Sequence, residues 1–499
     1  MTLFVRIWKK LFGVWETAET MGQQVARGGL ILFFERTLMK GSQFVRTIIV
    51  ARLIFPHDIG LFALASLGLS TVSVFVQLGI NSAIIQEKKD VRKYLDNAWT
   101  ANVIRGIFLA VVMFFSANLF GRFFDNDAIV MMIRVLGLLA LMEGLENIGI
   151  VILQKELALN RQFFYDVFGN LIQIGAVILA ALISKNAWAM VIGAVIGRLA
   201  YLILSYLCHP YRPRLNFDFG GSWHLFKFGR WIALGGIVSF FATRGDSLAI
   251  GKLLSVDQLA FYQMAFALGT LPAVEFVKTL GAIFFPLYAK MQEDKDRMRL
   301  AFTRIARMIS AIIIPASVGM FVLAPDIVRY VYGSRWLSMV PVLYVAILFG
   351  LLKSFEFLVG PVFLGVGKPY VSIITMAFQA VVLFAVISPL TRMYGITGTA
   401  IAALLGLFAA QLVYAYRLVR EIKINPFSII GQSMLPLLGS AIMCLVLTSL
   451  RSFKSIDSFV VLISYIFAGV IVYVIAILLL DKLVGGKFKE SYVWIKINI

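Results

Sequence analysis

Long apolar runs separated by short polar segments repeat along the whole chain. They fall at about 28–53, 59–84, 97–118, 129–153, 164–184, 188–208, 229–252, 259–285, 302–323, 340–364, 370–388, 395–416, 431–450 and 458–480. Each is close to the ~20 apolar residues that a helix needs to cross a bilayer. The pattern predicts an all-α integral membrane protein of about 14 transmembrane helices. Ahead of the first run, Leu3, Phe4, Ile7, Leu11 and Val14 recur at helical spacing while Arg6, Lys9 and Lys10 occupy the remainder, which predicts an interfacial segment over 1–27.

Composition supports the same class. Of 499 residues, 60% are apolar and 14% charged, against about 45–50% and about 25% in soluble domains. A soluble enzyme, a fibre and a disordered chain are excluded. The formal charge of +20 would suggest nucleic acid in a soluble protein. Here the bases lie between apolar runs, and no nucleic-acid surface is expected. With the N-terminus inside, the segments facing inward hold Arg92, Lys93, Arg212, Arg214, Lys295 and Arg297. The outward loops hold only isolated bases such as Arg122, Arg329, Arg335, Arg392 and Arg451. This bias predicts both termini cytoplasmic. No cleavable signal is expected. Cys208 and Cys444 read as small hydrophobes, and His57, His209 and His224 lie far apart near run ends, so neither a metal nor a cofactor is expected. No loop exceeds about 20 residues, and no phosphate loop ending in Lys-Ser/Thr is present.

A weak internal repeat runs through the chain. Thr47–Phe62 aligns without gaps to Ser247–Tyr262, so that Arg52 meets Lys252, Leu53 meets Leu253 and Gly60 meets Ala260 at an offset of 200 residues. Parallel repeats of this kind are one transporter architecture, with the substrate between the halves. The expected division is an N-lobe over 28–208, a cytoplasmic linker over 209–228, a C-lobe over 229–418, and two further helices with a tail over 419–499.

The segment Ala51-Arg52-Leu53-Ile-Phe-Pro56-His-Asp58-Ile-Gly60-Leu-Phe62-Ala63, followed by Gln77-Leu78-Gly79-Ile80-Asn-Ser82-Ala83-Ile-Ile85-Gln86, resembles the bacterial polysaccharide exporters. These are the lipid-linked oligosaccharide flippases of the multidrug/oligosaccharidyl-lipid/polysaccharide superfamily. Ile152-Leu-Gln154-Lys-Glu156-Leu-Ala-Leu-Asn-Arg161-Gln-Phe163 is similar to that family's loop after its fourth span, with Ala158 as a departure. The resemblance implies two six-helix lobes around a cavity, two C-terminal helices, and export of undecaprenyl-diphosphate-linked sugar units. The partners expected on that basis are the lipid-linked oligosaccharide, the bilayer, and a polymerase and glycosyltransferases of the same pathway. It implies no enzyme activity.

A charge near the bilayer centre is costly, so each one inside a run needs a reason. On the first run Arg36, Lys40, Gln43 and Thr47 form a stripe with Glu35, Ser42 and Arg46 beside it. One reading is a cationic wall for a diphosphate, which arginine suits through bidentate contacts. The other is a Glu35–Arg46 pair with the remaining bases snorkelling to the interfaces. Arg244 and Asp246 sit at the matching depth of the seventh run and join Arg46, Lys40 and Arg36 as candidate substrate-binding residues. Glu275 with Lys278 and Lys353 with Glu356 are each three apart and read as intrahelical pairs. Glu143 and Glu146 share a face with no base within a turn. Either they meet Arg105, Arg198 or Arg46 from other helices, or one is protonated, which makes the pair a candidate for proton coupling. Two other functions remain open: a cation-coupled drug antiporter of the same superfamily, and a membrane glycosyltransferase or polymerase. The first favours an acidic cavity and the second a sizeable outer loop, neither of which the sequence offers.

Overall fold

The computed structural model describes residues 21–76, 84, 94–156, 158–218, 223–425 and 427–483. Most of the expected interfacial segment, the stretch Gln77–Ala83 with Ile85 and Gln86, and the C-terminal tail lie outside the described residues. The first half forms α1 (Met21–Leu53), α2 (Pro56–Phe75), α3 (Leu95–Phe123), α4 (Ala128–Leu145), α5 (Gly149–Lys155), α6 (Leu159–Ser184) and α7 (Trp188–Cys208). The second half forms α8 (Trp223–Leu253), α9 (Val256–Gly269), α10 (Leu271–Lys290), α11 (Lys295–Ile327), α12 (Val340–Gly365), α13 (Tyr370–Arg417), α14 (Phe427–Phe453) and α15 (Phe459–Leu483). Among the described residues there is no strand. A helix covers all or part of every apolar run, and among the described residues 10 helical stretches are long and apolar enough to cross a membrane. The charged α1 is not among those 10.

Local chemistry sets the breaks. α1 ends at Leu53 and α2 starts at Pro56; α8 ends at Leu253 and α9 starts at Val256, so both breaks recur at the repeat offset. Proline opens α2, where its missing N–H costs nothing. Ser255 does the same work for α9 through a capping box with Gln258. The run at 259–285 divides into α9 and α10 because Pro272 follows Gly269 and Thr270, which favours a new helix start. α13 is continuous in outline but bends at Gly395, whose φ of 58° and ψ of −140° are not helical. The two apolar runs at 370–388 and 395–416 therefore meet at that bend.

The described residues form two compact units. One takes those within Met1–Val50, Val76–Ser116 and Met131–Ala233; the other takes Ala51–Phe75, Ala117–Val130 and Leu234–Ile499. In the first unit the segment after α7 is laced to the start of α3. Asn216 N donates to Thr100 Oγ1 at 2.9 Å and Arg214 N to Asp96 Oδ1 at 2.8 Å. Tyr211 donates its hydroxyl to the same Asp96 carboxylate, and burial together with that carboxylate pushes the Tyr211 phenol upward. In the second unit α10, α11, α12 and α13 share a core that includes Tyr288, Phe302 and Phe363. A second cluster joins α11 to α14 and α15 through Leu323, Met443 and Tyr473.

Candidate functional site

In the first unit, the polar stripe of α1 faces α6 in part. Gln43 Nε2 donates to Asn170 Oδ1 at 3.2 Å, and Asn170 Nδ2 donates to Ser42 Oγ at 2.9 Å. Thr47 returns its hydroxyl to Gln43 O at 2.9 Å, as a threonine within a helix commonly does. Glu35 is buried and lies against Asp166 of α6, with its Oε2 buried and unbonded. The Glu35–Arg46 pair is therefore not formed. Eleven residues of helix separate those two side chains by roughly 16 Å along the axis. Arg36 and Lys40 are exposed, with Arg36 near enough to act electrostatically on Glu35, and Arg46 is half-buried. Among the described residues Arg46 makes no ion pair.

The last turn of α4 and the residue just after it bring Glu143 and Glu146 to a face met by three other helices. Arg105 of α3 reaches Glu143 at 2.9 Å. Arg198 of α7 spans both acids, at 3.0 Å from Glu143 and 2.8 Å from Glu146. Tyr165 of α6 donates its hydroxyl to Glu146 at 3.2 Å, with its ring edge-on to Tyr201 at 5.2 Å. Of the three arginines the sequence offered as partners, Arg105 and Arg198 make the contacts. Two carboxylates against two guanidiniums balance, so both acids keep charge-assisted partners.

In the second unit, Arg244 and Asp246 part company. Asp246 is buried and accepts from the Tyr262 hydroxyl at 2.6 Å and from Ser247 N at 2.5 Å. The same face of α8 is tied down by Gln379 Nε2, which donates to Ala242 O at 3.1 Å. Arg244 is exposed. Lys353 and Glu356 do form their pair, at 2.7 Å. The side chains of Glu275 and Lys278 lie outside the described residues. Among the described residues no cluster of three or more His, Cys, Asp or Glu has the placement of a metal site.

Sequence reasoning missed Asp166 and Asn170 on α6 and Tyr262 on α9. The signal for the first two was present: Gln162, Asp166 and Asn170 recur every four residues at the start of an apolar run. Tyr262 carried none, since it aligns with Phe62 in the repeat and reads as an ordinary apolar position.

These features define an all-α multi-pass membrane protein, and the same architecture recurs in solved transporters. The structure "Lipid II flippase MurJ, inward closed conformation" superposes with a TM-score of 0.75 at 15% identity, covering 92% of this chain and 99% of that one. An inward-facing multidrug-resistance MATE transporter gives 0.58 at 18% identity over 78% of this chain and 94% of its own. The chain belongs to the polysaccharide biosynthesis protein family, whose pattern matches residues 49–341. The lipopolysaccharide biosynthesis protein WzxC of Escherichia coli is 25% identical over 63% of this chain, a match spanning 64% of that relative's length. The probable low-salt glycan biosynthesis flippase Agl15 of Haloferax volcanii is 21% identical over 93% of this chain and 98% of its own.

Proposed function

We propose that the chain is a flippase that carries a polyprenyl-diphosphate-linked oligosaccharide from the cytoplasmic to the outer leaflet of the plasma membrane by alternating access. The family match and the flippase-like fold support the class. The observation that carries the substrate reading is the cationic excess on α1. Glu35 turns to α6, Arg46 makes no ion pair among the described residues, and Arg36 and Lys40 are exposed on the same helix. A cationic stretch of helix at membrane depth suits a diphosphate and opposes the cationic drugs of an antiporter. Arg244 on α8 is a further substrate-contact candidate in the second unit, where Asp246 holds α8 against α9 through Tyr262. The carrier is undecaprenyl diphosphate, and the polymerase and glycosyltransferases of the same pathway are its partners. Glu143 and Glu146 carry the proton coupling.

Arg46 tests the phosphate contact. Losing one partner of a desolvated charge pair costs about 2–5 kcal/mol, enough to weaken binding at least tenfold. Arg46→Ala is expected to accumulate lipid-linked sugars inside while the protein inserts normally. Arg46→Lys is expected to recover only part of the transport, because a point charge lacks the bidentate geometry. Arg392→Ala, at an exposed position near the bend of α13, serves as the control. Arg451 does not suit that purpose, since it pairs with the buried Asp326 at 2.9 Å. Equal transport by wild type and Arg46→Ala at matched expression removes the assignment.

A further inference from the structure

We infer that the seam where segments 51–75 and 117–130 pack against the second half of the chain is the gate that closes the outer mouth of the transporter, latched by two cations acting reciprocally. The inference rests on the alternating-access reading and adds the contacts that such a cycle has to break.

Arg52 and Lys252 occupy the same position in the two repeats, each near the end of the first helix of its half. Neither holds its own half. Arg52 Nε donates to Val331 O at 2.8 Å and its Nη2 to Tyr330 O, in the wide helical turn Val328–Tyr332 that follows α11. Lys252 Nζ reaches back to Asp125 Oδ2 at 2.8 Å, just beyond the end of α3. The two targets, at 125 and 330, are 205 residues apart, close to the offset that relates the two cations. Each latch also has an aromatic contact beside it. Arg335 stacks over Phe55 at 4.7 Å, and Lys252 lies 5.5 Å from the centre of Phe123.

Between the latches the seam is tight but short of covalent or deeply ionic bonds. The fully buried Trp336 donates Nε1 to Ala51 O at 2.9 Å. Gly60 passes so close to α9 that a Cβ there would stand 2.1 Å from Val256 O. His57 Nδ1 is 3.6 Å from Asp257 Oδ2, with both side chains about half exposed. Solvent-exposed pairs of this kind contribute little each. These polar contacts rim an apolar seam in which Leu64, Ala65, Leu259 and Ala260 are buried. A seam held by packing and a few exposed polar contacts, with no covalent or buried ionic bond, is closed at rest and separable within a transport cycle. The positions of the scattered bases put Arg122, Arg329 and Arg335 on the outer side, which makes this the outer mouth.

The test uses the full-length protein with Cys208→Ser and Cys444→Ser, in whole cells. Leu64→Cys places a thiol at a position 1% exposed in the closed seam. Its reaction with a membrane-impermeant maleimide added outside reports opening and needs no knowledge of the substrate. Arg52→Ala and Lys252→Ala are each expected to speed labelling about three- to fivefold, the scale of one exposed charged contact, made to backbone carbonyls by Arg52 and to a carboxylate by Lys252. Lys252→Asp with Asp125→Lys is expected to bring the rate back toward wild type. In a separate background, His57→Cys with Asp257→Cys joined by a short bifunctional thiol reagent is expected to stop labelling at position 64 and to stop transport, both restored by reduction. Labelling that ignores both latches and cross-link, or that occurs only from the cytoplasmic side in inverted vesicles, overturns the gate. Transport that persists through the cross-link also overturns it. If labelling responds as expected while no lipid-linked sugar is moved, the gate stands and the substrate reading falls.

Discussion

Arg198 touches two acids at once, and that decides what each glutamate costs to remove. With side chains 16–42% exposed across the cluster, a missing partner is expected to cost about 1–3 kcal/mol, between surface and buried values. Glu146→Gln is therefore expected to lower thermal stability in detergent modestly. As the proposed coupling residue it is also expected to retain substrate binding, slow turnover and flatten the pH dependence of transport. A lowered melting point with an unchanged pH profile would make the pair structural and end its coupling role. At this scale the sequence revealed which residues were unusual better than what they touch. Two glutamates without a local base announced partners from elsewhere, and Arg105 and Arg198 were already among those considered. Asp246 shows the reverse. Its depth matched Arg46, but its environment is set by Tyr262, 16 residues on, and no spacing rule connects an exposed arginine with an aspartate that is buried two residues later.

At the scale of the helix, Gly106 and Gly144 let α3 and α4 approach backbone to backbone. A Cβ on Gly106 would stand 2.7 Å from Ala140 O, and one on Gly144 would stand 2.5 Å from Asn102 O. Small residues at such crossings are the usual means of close packing in membranes. These two set the reach of Arg105 to Glu143. Gly144→Ala is expected to push the helices apart at a cost of about 1–3 kcal/mol, the scale of overpacking. Thermal unfolding of the detergent-solubilised protein measures it, and Gly41→Ala, with open space around its Cβ, is the neutral comparison. The apolar pattern located the helices well because membrane burial writes itself into composition. It located their interruptions less well. The run at 129–153 breaks at Asn147, which is buried and donates Nδ2 to Tyr211 O at 2.6 Å while its N donates to Ser205 Oγ at 2.9 Å. Those partners lie 58 or more residues away, beyond the reach of any local pattern. Arg451 likewise reads as a loop residue, yet it lies inside α14 and ties that helix to α11 through Asp326.

For the whole molecule, the charge pattern makes a prediction of sidedness. Reporter fusions after Lys93, Arg214, Lys295 and the C-terminus are expected to report the cytoplasm, and fusions after Asn126 or Arg335 the outside. Opposite sides for positions 93 and 295 would break both the repeat and the predicted span number. The repeat was legible because two helix breaks fall 200 residues apart. The grouping of the chain into units was not, because residues 51–75 and 117–130 pack with partners from 234 onward rather than with their sequence neighbours. The Ala51 carbonyl waits for Trp336, which is synthesised 285 residues later. At about 5–20 residues per second the ribosome takes roughly 15–60 s to supply it. For that interval the end of α1 and all of α2 are inserted without the surface they are built to meet. A nascent chain that stalls before residue 336 thus displays an unfinished helix seam in the bilayer, the kind of surface by which membrane quality control distinguishes an incomplete protein from a finished one.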